Sequence, residues 1–130
     1  MGVQVPPFAP VMLGALLALL PLLSCQSEAE RLQAESLFHL ENVVKILEAT
    51  AGNTDAAVAE LDKYLVEHRT RLLEVRALGS AMLRRMSPDE RVRFQGEAME
   101  RARPLRERVE TLAGTFPDPP RIFQKVRQFL

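Results

Sequence analysis

The chain has 130 residues, 17 Lys plus Arg and 17 Asp plus Glu, and a formal net charge of zero. Hydrophobic residues make up 47%, aromatics 5%, and there is one Cys and no Trp. That is the size of one domain, without room for two ordinary ones. A zero balance argues against a dedicated nucleic-acid binder, which carries a basic excess. A single cysteine excludes an internal disulfide and a multi-cysteine metal site.

Taken in chain order, the first 27 residues carry no Asp, Glu, Lys or Arg. Val11 to Leu23 is an apolar run of 13 residues, short of the roughly 20 that span a bilayer. An apolar run followed by small residues has the layout of a signal peptide. Its end, Leu22-Leu23-Ser24-Cys25, resembles the lipobox of bacterial lipoproteins. The resemblance covers those four residues and the apolar run before them. It implies acylation of the Cys25 thiol, with the small Ser24 giving the peptidase access. It also implies cleavage before Cys25 and usually acylation of the new amine. On that reading residues 1–24 are a signal peptide, residues 25–130 the mature helical domain, and residues 25–28 a short tether. The segment MGVQVPPFAP departs from the pattern, since it has no Lys or Arg where a signal normally begins with positive charge. An upstream start, an ordinary secretory signal cleaved near Ser24, or a short uncleaved anchor stay open beside the lipoprotein reading. Gln26 and Ser27 follow the cysteine where an Asp would mark inner-membrane retention. By the same resemblance the expected location is the outer membrane, with the domain facing the periplasm.

Residues 28–50 contain neither Pro nor Gly, and Leu37, Leu40, Val44 and Leu47 recur on one helix face. Leu32, Phe38, Val43 and Ile46 widen the stripe, and His39 lies on it. Ala51-Gly52-Asn53 ends the helix. A second helix starts at Thr54 or Asp55 as N-cap and runs to about residue 86. Its seam is Val58, Leu61, Leu65, His68, Leu72, Val75, Gly79, Met82 and Met86, with Gly79-Ser80 a candidate kink. Ser87-Pro88-Asp89-Glu90 is a capping box with proline at the first helical position. The third helix then presents Phe94, Ala98, Ala102, Leu105, Val109, Leu112 and Phe116. Pro104 is expected to kink this helix without stopping it. Glu97–Arg101 and Arg106–Glu110 are candidate ion pairs on its outer face. After Phe116-Pro117-Asp118-Pro119-Pro120, a last helix capped by Asp118 runs to Leu130, with Ile122, Phe123, Val126, Phe129 and Leu130 on one face. Nothing alternates like a strand. The expected fold is all-α: an up-down-up three-helix bundle closed by a short C-terminal helix.

Charge is unevenly placed. Residues 26–68 hold nine acids and three bases, and residues 69–130 hold eight acids and fourteen bases. The pattern predicts an acidic helix lying beside a basic one. The competing reading is a basic end that meets anionic headgroups, peptidoglycan or an acidic partner. The tail helix likewise has two readings, a cover for the bundle or a docking segment.

His39 and His68 are the only imidazoles. A haem- or ligand-binding bundle centred on His68 is a competing function, but no CxxCH occurs and the Glu-x-x-His pair of di-iron bundles is missing. Met82, Met86 and Met99 read as core fillers. No catalytic set is found, so no enzyme, cofactor or metal site is expected. The expected function is a membrane-tethered interaction or structural module held through lipid on Cys25, with a protein partner. An assembly accessory of the pilotin kind is one form, by analogy of size, location and class. Self-association through the helix 2 seam is another.

Overall fold

The structure is a computed structural model describing the backbone of residues 8–130 and the side chains of residues 28–130. It is helical, with no strand among the described residues. The helices are α1 (Phe8–Ala49), α2 (Thr54–Arg85), α3 (Pro88–Gly114) and α4 (Pro119–Val126). The chain divides into two compact units, Met1–Arg31 and Leu32–Leu130. Among the described residues no helix is long and apolar enough to cross a membrane.

In the second unit all four helices contribute to one core. Val43, Val44 and Leu47 from α1 meet Ala57 and Leu61 from α2, Val109 and Ala113 from α3, and Ile122 and Val126 from α4. Phe116, in the link before α4, completes it. Full burial of one such Val, Leu or Ile side chain is worth about 1.5–3 kcal/mol. The helical spacing finds Leu40, Val44 and Leu47 correctly. It misplaces two large residues: Phe38 is 52% exposed and Met99 is 60% exposed. Phe38 stands at the edge of the stripe, next to the buried His39. Met99 lies in the part of α3 before the core begins.

The connections are set by local chemistry. Gly52 takes φ +78, the left-handed region that favours glycine, and turns the chain out of α1. The N-cap of α2 is Asn53, not Thr54 or Asp55: its side chain accepts from the Ala56 amide at 3.0 Å. Thr54 is buried and its Oγ1 accepts instead from the Asp118 amide, tying the start of α2 to the start of α4. α2 runs unbroken past Gly79. Ser87 caps α3 as expected, accepting from the Glu90 amide at 3.2 Å, with Pro88 behind it. Arg91 reaches back to donate to the carbonyls of Leu83 and Met86 at the end of α2, where Leu83 also accepts from the Met86 amide. α3 continues through Pro104. Asp118 occupies the N-cap of α4 but makes no side-chain cap bond. Pro119 and Pro120 have no N–H, so the first turn offers little to cap. α4 ends at Val126, short of the expected Leu130, and residues 127–129 form a turn.

Candidate functional site

The acidic and basic parts of the sequence do lie together. Ion pairs between helices join Glu35 to Arg71, Glu48 to Arg108, Asp55 to Arg121 and Asp62 to Lys125. In each, the acid comes from residues 26–68 and the base from residues 69–130. The charge asymmetry is therefore spent in part inside the domain. The expected pairs within α3 do not form. Arg101 donates to the Gln33 side chain at 2.8 Å, and Arg103 pairs with Glu100 at i,i+3. A side chain facing another helix reaches a partner there before it reaches along its own.

The tail also lies inward. Ile122 and Val126 are fully buried, and Phe123 and Phe129 pack against the same core. Leu130 remains 42% exposed. The covering reading of the tail thus describes α4, whose apolar side chains are consumed by the core.

One polar cluster stands out between α1 and α2. His39 is buried, and its Nδ1 lies 2.5 Å from the Tyr64 hydroxyl. The Asn42 amide donates to the same hydroxyl at 3.1 Å. With Asn42 donating in, the Tyr64 O–H is free to donate to Nδ1, which keeps the imidazole proton on Nε2. Nε2 is buried and makes no hydrogen bond among the described residues. The His68 ring lies 5.5 Å from that of His39, edge to face, and 4.1 Å from that of Tyr64. The Phe129 ring lies 5.7 Å from that of Tyr64. Burial, then the nearby His68, holds the His39 pKa below its ordinary value; Glu35 opposes and Arg71 assists. Burial also pushes the Tyr64 phenol up, against the Asn42 bond. Neutral His39 is the form this site favours.

His68, on which the competing ligand- or haem-binding reading is centred, stands among the rings of His39 and Tyr64. Among the described residues no group of three or more His, Cys, Asp or Glu is placed to hold a metal ion. Beside the cluster is an open cleft of about 410 Å³ lined by Asn42, Lys45, Ile46, Ala49, Thr50, Glu60 and Tyr64. Sequence reasoning passes over Tyr64 and Asn42. The available signal is spacing: Tyr64 is one turn before His68, and Asn42 one turn after His39. The side chain of Cys25, and with it the lipobox, lies outside the described residues. No family model, curated protein or solved structure matches the chain.

Proposed function

We propose that the chain is a small helical lipoprotein of the cell envelope, held in the outer membrane through lipid on Cys25. Its domain serves as an interaction or structural module facing the periplasm. The observation that carries this reading is Leu22-Leu23-Ser24-Cys25 at the end of an uncharged apolar run, ahead of a unit that closes its own core. Cleavage before Cys25 would remove no residue of that core. The up-down-up order belongs to the same reading. Glu35 meets Arg71 while Asn42 meets Tyr64, an antiparallel sense for α1 and α2. Gln33 meets Arg101 while Glu48 meets Arg108, a parallel sense for α1 and α3.

The test is the intact mass of protein extracted from membranes, beside a Cys25→Ala control. A species beginning at an acylated Cys25, absent from the control, is the expected result. An unacylated chain would reject the lipoprotein reading and leave only the helical module.

A further inference from the structure

The His39–Tyr64 pair sits where three parts of the unit Leu32–Leu130 meet. α1 brings His39 and Asn42, α2 brings Tyr64 and His68, and the turn after α4 brings Phe129. His39 is 5% exposed, yet an imidazole is the one side chain that ordinarily takes up a proton near neutral pH. Nothing in the lipoprotein reading uses that capacity.

What a proton does here follows from the hydrogen bonds. Neutral His39 accepts through Nδ1, and the Tyr64 hydroxyl donates to it. Protonation turns Nδ1 into a donor. The hydroxyl then faces two donors, Nδ1–H and the Asn42 amide, and its own O–H loses its acceptor. Nε2–H is buried without a partner among the described residues and now shares a positive charge. A buried charge that lacks hydrogen bonds is a costly state for a protein interior.

The facing groups do not relieve it. On α1 the nearby carboxylate is Glu35, both of whose oxygens already accept from Arg71 Nε of α2, at 3.0 and 2.9 Å. Arg71 and a charged His68, both on α2, repel the imidazolium. Tyr64, also on α2, stays neutral, because burial pushes its phenol up. The turn after α4 faces the cluster with the Phe129 ring. Relief comes from moving Tyr64 off Nδ1 and admitting water to the imidazolium.

The neighbour that yields with least loss is that turn. Phe129 is only partly buried, and Arg127, Gln128 and Leu130 are exposed. Arg76 of α2 donates to the Gln128 carbonyl at 3.3 Å, a long bond on the surface. α4 itself is anchored separately, by buried Ile122 and Val126 and by the Arg121–Asp55 and Lys125–Asp62 pairs. The turn can therefore leave while α4 stays. We propose that the His39–Tyr64 pair is an acid-operated latch: protonated His39 displaces Tyr64, which frees the C-terminal turn, residues 127–130, from α2 and uncovers the aromatic face of Tyr64, His68 and Phe129. The latch is closed at neutral pH and opens as pH falls. It does not depend on lipid at Cys25.

Tyr64 is the only tyrosine and the chain has no tryptophan, so the tyrosine band of the near-ultraviolet difference spectrum reports this site alone. The full chain is titrated from about pH 7.5 to about pH 5. NMR of the two imidazoles gives the His39 midpoint. Hydrogen exchange, corrected for its intrinsic pH dependence, gives the protection of residues 127–130. The expected result is that the Tyr64 band and the turn change together at the His39 midpoint. Protection of the turn should fall by up to about ten-fold per pH unit below it, with helicity by circular dichroism unchanged. In H39Q the side-chain oxygen still accepts from Tyr64 and does not titrate, so both changes should vanish. In H68Q both should remain and move to higher pH, since one repelling charge is gone. A turn that stays protected to about pH 5 would overturn the proposal. So would opening that persists in H39Q, or helicity lost at the same midpoint, which would make the event global unfolding. Should H39Q not fold, the wild-type chain decides alone: coincident midpoints for His39 and the turn support the latch, and separate midpoints overturn it.

Discussion

The two ends of the α2–α3 pair are built from the same apolar spacing and have opposite fates. At one end Leu61, Val109 and Ala113 are completely buried, because α1 and α4 both pack on them. At the other, Met82, Met86, Phe94 and Ala98 keep the same period and reach only partial burial. A seam of period 3.5 to 3.6 specifies which face of a helix is apolar. A third and fourth element decide whether that face becomes core.

The widest separation between the two ends is expected from truncating side chains. Ile122→Ala empties space inside the core and should cost about 2–4 kcal/mol in urea denaturation. Val92→Ala at the hairpin should stay within about 0.5 kcal/mol. Similar losses at both positions would erase the distinction. Tyr64→Phe comes next, at about 1–3 kcal/mol, since it strips partners from His39 and Asn42 at a part-buried site.

The same cluster makes stability depend on pH, with a definite sign. His39 has its folded pKa below the ordinary 6.5, so the unfolded chain takes up the proton first. Its contribution is complete above about pH 6.5 and is lost as pH falls below that value. Beside the Tyr64 hydroxyl on Nδ1, the charged or titratable groups facing it are Glu35, His68 and Arg71, and of these three only Glu35 favours the protonated form. Melting temperature against pH should drop on the acid side in the wild-type chain and flatten there in His39→Gln. A curve unchanged by that substitution would assign the acid sensitivity to other groups.

Two smaller effects contrast the helix starts and the surface pairs. Ser87→Ala removes a working cap and should cost about 1 kcal/mol. Asp118→Ala removes a side chain that caps nothing and should change stability by less than about 0.5 kcal/mol. A double-mutant cycle on Asp62 and Lys125 should give a coupling of about 0.2–1 kcal/mol that weakens with salt. Coupling that salt leaves intact would mean the pair is held by more than its charges.

Much of the fold is legible in the sequence for a physical reason. Pro, Gly and Ser punctuate the chain at 52, 87–88 and 117–120, and between them the apolar period marks the inward face, with Phe38 and Met99 the exceptions. The charge asymmetry is also readable, because opposite charges favour neighbouring helices over distant ones. What escapes are matters of rank among similar residues. Asn53 takes the cap ahead of Thr54 because Thr54 is needed by Asp118, a partner 64 residues away. Arg101 turns to Gln33 instead of Glu97 because α1 is within its reach. The His39–Tyr64–His68 cluster escapes for the same reason. Its members are ordinary at their own positions and become a site only where two helices face each other.

Hydrogen exchange followed by mass spectrometry tests the contrast between the two ends most directly. Slow exchange, near the limit set by global unfolding, is expected for residues 43–47, 57–61 and 109–126. Markedly faster exchange is expected for residues 78–98, around the α2–α3 turn. Equal protection along the whole of α2 and α3 would contradict it, because the hairpin would then belong to the same cooperative core as α4.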